Sequence, residues 1–203
     1  GKPSENIVLD AFVKSREPNA QSAQSCTIQN RKDAHIALAD KQYKTRADSD
    51  FDKVRFVPNA LPQVALEEID DSVSVLGSEV CDSVHWCSPI YINAMTGGSD
   101  AAKKVNASLA RVAAKNSVAM ASGSLSAALR DETLLSTFSV IRSENPHGFV
   151  MANVSAGTSA SDALRAVNMI HANALQVHLN AAQELVMQEG DRDFRNWLCN
   201  IES

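Results

Sequence analysis

Four short apolar runs in the C-terminal part of the chain constrain the fold more than any other feature. They begin at residues 90, 117, 148 and 174, so that successive starts lie 27, 31 and 26 residues apart. The sequences between them have the apolar periodicity of helices. Strands buried on both faces and joined by helices of this length are typical of parallel βαβ units. We therefore predict an α/β fold whose parallel sheet is built from four such units.

Three helices are predicted between and after these runs, at Asp100–Lys115, Asp131–Arg142 and Ser161–Ala172. The first and third have apolar side chains at helical spacing, which we expect to face the sheet. In the first helix these residues are Val105, Leu109, Val112 and Ala113, and in the third they are Leu164, Val167 and Ile170.

Two architectures can hold four βα units in series: a doubly wound open sheet, or part of a (β/α)₈ TIM-type barrel. Each apolar run ends in small or polar residues, namely Met95–Gly98, Gly123–Ser124, Asn153–Ser155 and His178–Asn180. Polar residues at several successive strand ends favour a barrel mouth, where the loops after the strands assemble a site. The Gly-x-Gly-x-x-Gly pattern of a dinucleotide-binding sheet does not occur. We prefer the TIM-barrel type.

The domain organisation follows from length. A complete barrel of this kind usually needs about 250 residues, whereas the four units occupy residues 90–185. We expect residues 90–203 to form the N-terminal half of a TIM-type barrel. Residues 30–89 are predicted to form a helical arm, with a helix from Arg31 to Lys44 and a connecting segment at 45–70. Residues 1–29 are predicted to be a disordered extension, because they bury too little apolar surface to offset ordering entropy.

Composition narrows the function classes. The formal net charge is -5, which argues against a general nucleic-acid binder. No apolar run approaches the roughly 18 residues that a membrane span needs, and the first residues lack the apolar core of a secretory signal. The four cysteines show no Cys-x-x-Cys spacing, so we expect a reduced, cytoplasmic protein.

The fourth run is the most informative about chemistry. Gln176, His178 and Asn180 alternate with apolar residues and therefore share one face of a strand. Gln183 and Glu184 follow directly. An inward polar face is costly unless it is hydrogen-bonded, so these side chains either bond to neighbouring loops or form a site with neutral donors and one carboxylate. Such a carboxylate suits Mg²⁺, which takes one or two protein oxygens and completes its shell with water and phosphate.

Other motifs leave both a structural and a functional interpretation open. Arg31-Lys32 is either a solvated helix face or a diphosphate clamp. Gly97-Gly98 is either a simple turn or a place where backbone N–H groups approach a flat or anionic ligand. Ser124 is either a helix cap or a hydroxyl contact. Neither a Gly-x-Ser-x-Gly elbow nor a Walker loop is present.

Six stretches, taken in order and spacing, closely resemble the type 2 isopentenyl-diphosphate isomerases, which are FMN-dependent (β/α)₈ enzymes. They are Asn30–Ile36, Asn93–Ser99, Gly123–Leu129, Glu144–Pro146, Ala152–Asn153 and Gln176–Leu185. The last stretch is the most specific. The resemblance covers about residues 29–200, and residues 1–28 do not look like this family.

The resemblance implies a role for each matching position. The substrate would be bound by Arg31 and Lys32 at its diphosphate and by Gln183, and Glu184 would bind Mg²⁺. FMN would be contacted by Ala94, Met95, Thr96, Ser124 and Asn153. The residues next to the reacting allylic group would be His178, Asn180 and Gln183.

The implied reaction interconverts isopentenyl diphosphate and dimethylallyl diphosphate in isoprenoid biosynthesis, with reduced FMN, Mg²⁺ and NAD(P)H as the reductant that keeps FMN reduced. In the family, later strands supply a lysine near the flavin and glycine-rich loops for the FMN phosphate, so we expect this chain alone to bind FMN weakly. An open half-barrel leaves two sheet edges and an apolar face exposed, which predicts a homo-oligomer. Another FMN-dependent barrel oxidoreductase and a non-catalytic half-barrel fragment remain as alternatives.

Overall fold

The computed structural model describes residues 20–45, 50–75, 84–187 and 190–203, with side chains from residue 31 onward. In chain order, its helices and strands are α1 (Ala20–Lys44), β1 (Val73–Val75), β2 (Val84–Trp86), β3 (Tyr91–Ile92), α2 (Asp100–Asn116), β4 (Ala119–Ser124), α3 (Ser126–Arg130), α4 (Ser136–Glu144), β5 (Val150–Ser155), α5 (Ala160–Met169), β6 (Ala174–His178), α6 (Ala181–Val186) and α7 (Trp197–Glu202).

The main sheet confirms the predicted parallel α/β arrangement. Its order is β3-β4-β5-β6, and each neighbouring pair is parallel. Neighbours follow chain order throughout, without the reversal that marks a doubly wound sheet. β3 and β6 are the edges of this sheet in the described part of the chain. A separate antiparallel pair, β1 and β2, precedes it and was not predicted.

Each of the four strands lies within or overlaps a predicted apolar run. All but the last residue of β4 is buried, and β5 has the same nearly continuous burial. This pattern is expected of parallel strands covered on both faces. The run that begins at residue 90 forms only the two-residue strand β3, because it passes at once into the irregular segment before α2.

The arm differs from its prediction at both ends. α1 begins at Ala20 rather than Arg31, and residues 1–19 of the predicted extension lie outside the described residues. The connecting segment contains two 3₁₀ turns, Asp50–Lys53 and Leu66–Glu68. Its large apolar side chains are mostly exposed, among them Phe51, Val54, Phe56, Val57, Leu61, Leu66 and Ile69. None of the described helices is long and apolar enough to cross a membrane.

The predicted apolar helix faces are partly wrong. On α2 the buried residues are Ala102, Asn106, Ala110 and Ala113, whereas Val112 is 54% exposed. α2 packs mainly against α4, and small side chains allow two helices to approach closely. On α5 Leu164 is 63% exposed, while Ala166 and Ile170 are buried. The largest apolar residue at helical spacing is therefore a poor guide to the packed face in this chain.

The predicted helix at 131–142 is interrupted. Asp131 accepts a hydrogen bond from the backbone N–H of Thr133 and caps a 3₁₀ turn at Glu132–Leu134, after which α4 begins at Ser136. Local side-chain bonding of this kind competes with helix propagation. The interruption lets Phe138 become fully buried in the core.

Phe138 also explains the first glycine of the Gly97-Gly98 pair. A Cβ at position 97 would lie 1.9 Å from the Phe138 ring carbon Cε1. Gly98 has a φ of 90°, a left-handed conformation that favours glycine, and its N–H donates to the Thr137 hydroxyl at 2.8 Å. Packing and turn geometry therefore account for both glycines, in agreement with the interpretation of Gly97-Gly98 as a simple turn.

One guanidinium group closes the amino-terminal edge of the sheet. Arg142 donates to the carbonyl oxygens of Asn145, Gly148 and His171, and to the side-chain oxygen of Asn173. The same Asn173 oxygen accepts the N–H of Val150 at the start of β5. This network ties α4 to the segments that enter β5 and β6.

Candidate active site

A cavity of about 360 Å³ lies at the carboxyl-terminal edge of the sheet, between the ends of β4, β5 and β6 and the helix α1. It brings together six of the predicted site residues: Arg31, Lys32, Ser124, His178, Gln183 and Glu184. These residues come from three separate stretches of the chain. The position agrees with the general rule that sites in parallel α/β sheets lie beyond the carboxyl ends of the strands.

The two predicted cations reach the cavity from α1. Arg31 and Lys32 are both half-buried, and Arg31 Nη1 donates to the Met187 sulfur at 2.8 Å. One residue further on, Asp33 accepts a 2.5 Å hydrogen bond from the hydroxyl of Ser99, which is the N-cap of α2. This bond fixes the cation-bearing part of α1 to the main domain.

The electrostatic effect of the cations is seen at His35. Burial lowers the pKa of its imidazole, and the nearby charges of Lys32 and Arg31 lower it further. A local potential that disfavours one more positive charge favours an anionic ligand.

A chain of hydrogen bonds runs across the sheet below the cavity. Asn153 Nδ2 donates to Gln176 Oε1 at 2.8 Å, and Asn153 Oδ1 lies 2.9 Å from His178 Nδ1. Gln176 Nε2 in turn donates to the Tyr91 hydroxyl and to Asn93 Oδ1, both at 3.2 Å. The polar face predicted for β6 is therefore hydrogen-bonded to β5 and to β3 and its following loop, as the cost of burying it requires.

The bond to Asn153 orients His178. Because Asn153 Nδ2 serves Gln176, its oxygen faces the imidazole, and Nδ1 is the donor in this pair. Burial lowers the pKa of His178 below its usual value; Glu184 opposes this effect and Lys32 adds to it. A neutral ring with a proton on Nδ1 leaves Nε2 as a hydrogen-bond acceptor.

Asn180 occupies the N-cap of α6. Its side-chain oxygen accepts the backbone N–H of Gln183 at 3.1 Å, and its amide donates to Gln183 Oε1 at 2.8 Å. Asn180 does not itself line the cavity. Its side chain orients Gln183, which does, so the predicted role for Asn180 in the chemistry stays a prediction.

Glu184 presents a carboxylate to the cavity from the first turn of α6. One of its oxygens, Oε2, accepts the backbone N–H of Asp191 at 2.9 Å. Arg192 donates to the backbone carbonyls of Glu184 and Met187 and folds the following loop back onto α6. The described residues contain no group of three or more His, Cys, Asp or Glu side chains able to hold a metal. A single carboxylate of this kind fits Mg²⁺, which relies on water and phosphate for most of its ligands.

Most of the residues predicted to contact FMN do not line the cavity. Of these five, Ser124 lines the cavity, and Asn153 is joined to it through His178. Ala94, Met95 and Thr96 follow β3, and Met95 is 61% exposed.

Thr96 has the feature that best fits a flavin. It is only 3% exposed, and its hydroxyl oxygen is buried without a hydrogen-bond partner among the described residues. Its carbonyl oxygen accepts bonds from Gly123 N–H and Asn106 Nδ2. A Cβ at Gly123 would lie 2.3 Å from that carbonyl oxygen, so the glycine allows β4 and the segment after β3 to approach. A buried hydroxyl left unsatisfied is costly, and a polar edge of a bound flavin would satisfy it.

Sequence reasoning missed several lining residues. They are Ser126, Arg130, Ser155, Gly157, Thr158, Met187, Gly190 and Asp191. Ser155 ends β5 and Thr158 follows it, within a run of small and polar residues, which is the signal that marked the other strand ends. Arg130 and Asp191 carry no such signal, because only the fold brings α3 and the loop after α6 to the same mouth.

Comparisons with known proteins bear on what this site does. No protein-family model matches the chain. It is 49% identical over 181 residues to the isopentenyl-diphosphate delta-isomerase of Latilactobacillus sakei, which covers 89% of the chain and 49% of that protein. Homologues of the same name from Lacticaseibacillus paracasei and Listeria welshimeri are 48% identical over 183 residues and 46% identical over 174 residues. Most of this chain is homologous to proteins of that name.

The extent of these matches adds two facts. They cover 90% of the chain for the Lacticaseibacillus protein and 86% for the Listeria protein, but 50% and 47% of the relatives. The chain therefore spans about half the length of the curated relatives it matches. A match of 183 residues also leaves only about 20 of the 203 unmatched. The match to the Lacticaseibacillus protein therefore includes part of residues 1–28, although the motif-based resemblance does not.

Proposed function

We propose that this chain forms the N-terminal half of an FMN-dependent, type 2 isopentenyl-diphosphate isomerase and takes part in the interconversion of isopentenyl and dimethylallyl diphosphate. One observation carries the proposal. A single cavity holds Arg31 and Lys32 together with Gln183 and Glu184, although about 150 residues separate the two pairs. The homologues named isopentenyl-diphosphate delta-isomerase support the same reaction.

The charged residues would hold the diphosphate end of the substrate. The guanidinium of Arg31 can bind two phosphate oxygens at once, and Lys32 adds a point charge. The free oxygen of Glu184 would bind Mg²⁺, which would bridge to the phosphates. Binding energy gained at this remote end would position the five-carbon alkene for reaction.

The neutral residues would line the reacting end. Gln183 is oriented by Asn180, and His178 is oriented by Asn153 and kept neutral by burial. A carbocation-like transition state needs electrostatic stabilisation, which these neutral side chains do not supply themselves. When bound, reduced FMN supplies electron density and an acid/base nitrogen for a reaction without net redox change, with NAD(P)H as its reductant. Thr96, Ser124 and Asn153 are the residues here that would hold the flavin.

The rest of the isomerase would come from further βα units. Among the described residues the sheet runs β3 to β6 in chain order with β3 and β6 at its edges, which supports the proposal of half a TIM-type barrel. Relatives about twice as long as the matched region support this interpretation. We expect FMN binding and turnover to need four more units, supplied by a longer chain or by a second polypeptide.

The experiment is to co-express this chain with the C-terminal half of the Latilactobacillus sakei homologue. The purified complex is assayed for isomerisation of isopentenyl diphosphate with reduced FMN and Mg²⁺, with each half alone as the control. We expect activity only from the complex. A folded complex that binds FMN stoichiometrically but does not isomerise isopentenyl diphosphate would overturn the proposal.

A further inference from the structure

A third cation, Arg130, lines the same cavity as Arg31 and Lys32. It is the last residue of α3, which follows directly from β4 and is fixed in the core by its buried neighbours. Leu125 and Ala128 are fully buried, and Ala127 is 5% exposed. The backbone N–H of Asp131 closes the helix by donating to the Ala127 carbonyl. The Arg130 side chain therefore projects from a rigid support.

The acidic residues next to Arg130 are occupied elsewhere. The Asp131 carboxylate accepts the N–H and hydroxyl of Thr133, at 3.0 and 2.6 Å. Glu132 pairs with Arg165 at 3.5 Å. Among the described residues, Arg130 forms no salt bridge with any carboxylate. The Arg130 guanidinium is exposed and lines the cavity, where it is available to an anionic ligand.

The rest of the lining is also suited to phosphate. Three cations face two carboxylates, Glu184 and Asp191, while His178 is kept neutral by burial. Ser126 and Thr158 also line the cavity, and their hydroxyl groups can supply further donors. A guanidinium with hydroxyl donors is a recurrent phosphate-binding set, since the planar fork pairs with two oxygens.

We propose that Arg130 is a further substrate-binding residue that contacts the diphosphate from the sheet side, while Arg31 and Lys32 contact it from α1. The identity of the ligand rests on the proposed function. With cations on two separate elements, the bound diphosphate links the arm to the barrel half. A diphosphate has two phosphoryl groups, so each of these two elements can contact a different one.

The test uses the full chain and its complex with the C-terminal half, with inorganic diphosphate plus Mg²⁺ as the probe in titration calorimetry. The variants are R130Q and R130K, and the matched control is R111Q, which removes the same charge from an exposed arginine outside the cavity. We expect R130Q to weaken diphosphate binding by about tenfold to a hundredfold, since charged hydrogen bonds are lost. R130K should recover part of the affinity, and R111Q should stay within about twofold of the parent.

Three results would overturn the inference. The first is an R130Q protein that remains folded by circular dichroism and binds diphosphate as tightly as the parent. The second is a parent protein that does not bind diphosphate, and the third is an R130Q protein that loses as much affinity for inorganic monophosphate as for diphosphate. The last would assign Arg130 to a single phosphoryl group, such as that of a mononucleotide. An isomerase that is active but insensitive to R130Q refutes only this inference. Diphosphate binding that depends on Arg130 in a complex without isomerase activity refutes only the proposed function.

Discussion

The parallel sheet has similar side chains at the amino-terminal and carboxyl-terminal ends of its strands, but these side chains have different functions. At the amino-terminal edge, Arg142 and Asn173 bond to backbone carbonyls and N–H groups and complete the ends of strands. At the carboxyl-terminal edge, Asn153 and His178 bond to each other beside a cavity that also contains Arg31. The chemistry of arginine and asparagine therefore does not reveal a site; the edge of the sheet on which they lie does.

Removal of the Glu184 carboxylate tests the function of the carboxyl-terminal edge of the sheet. We expect Glu184→Gln to lower kcat/KM of the complemented isomerase by about 100-fold or more, because Mg²⁺ loses its protein ligand. The melting temperature should change little. Glu132→Gln, outside the cavity, is the control. Unchanged activity in the Glu184 variant at limiting Mg²⁺ would contradict the assignment.

The corresponding test at the amino-terminal edge of the sheet is Arg142→Ala. It leaves the carbonyls of Asn145, Gly148 and His171 without their donor, so we expect a loss of about 2 kcal/mol in the free energy of unfolding. Diphosphate affinity should stay within about twofold. Urea unfolding and calorimetry give both numbers, with Arg111→Ala, an exposed arginine paired with Glu144, as the control. If Arg111→Ala lowered the free energy of unfolding as much as Arg142→Ala, the hydrogen bonds of Arg142 would have no special role in stability.

Two buried threonines differ in whether their side-chain hydroxyl forms hydrogen bonds. Thr96 has a buried hydroxyl without a partner among the described residues, whereas Thr137 donates to the Leu134 carbonyl and accepts from Gly98 N–H. We expect Thr137→Val to cost about 1–2 kcal/mol of unfolding free energy and Thr96→Val to cost none. Only Thr96→Val should weaken FMN binding in the complemented protein, as measured by quenching of flavin fluorescence. Equal FMN affinity in the parent and the Thr96 variant would remove this residue from the flavin site.

The smallest effect is a pH dependence of stability. The pKa values of His178 and His35 are lowered in the folded protein, so the unfolded chain binds more protons just below the usual histidine value of 6.5. The free energy of unfolding should therefore fall as the pH drops from about 7.5 to 5.5. His178→Gln and His35→Gln should each flatten this slope in urea titrations. A slope that neither variant changes would show that other groups cause it.

The elements with strong local signals could be predicted from the sequence. Buried parallel strands need continuous apolar runs, so β4, β5 and β6 were recognisable without tertiary information. The polar alternation on β6 likewise showed that Gln176 and His178 share a face. The helix surfaces were less predictable. Val112 and Leu164 have helical spacing but are exposed, because close packing selects small side chains such as Ala110 and Ala166.

The site divides in the same way. Arg31, Lys32, Gln183 and Glu184 were recognisable because each pair lies within a distinctive local stretch. Arg130 was not, since nothing in its own neighbourhood distinguishes it from a solvated charge. Asn180 illustrates a third case: the family resemblance implies a role in the chemistry, which stays a prediction, while the structure shows that its side chain caps α6 and orients Gln183.

The amino-acid sequence alone thus indicated which segments form the main sheet, that its strands are parallel, and which short motifs contain chemically capable side chains, but it did not reveal the antiparallel pair β1 and β2. Those properties depend on interactions within about ten residues and on the burial of apolar runs. Only the tertiary structure decided that α1, α3 and α6 meet at one edge of the sheet, that Thr96 keeps a buried hydroxyl without a partner, and that Gly97 makes room for Phe138. These features depend on contacts between distant segments, and their energies exist only once the chain has folded.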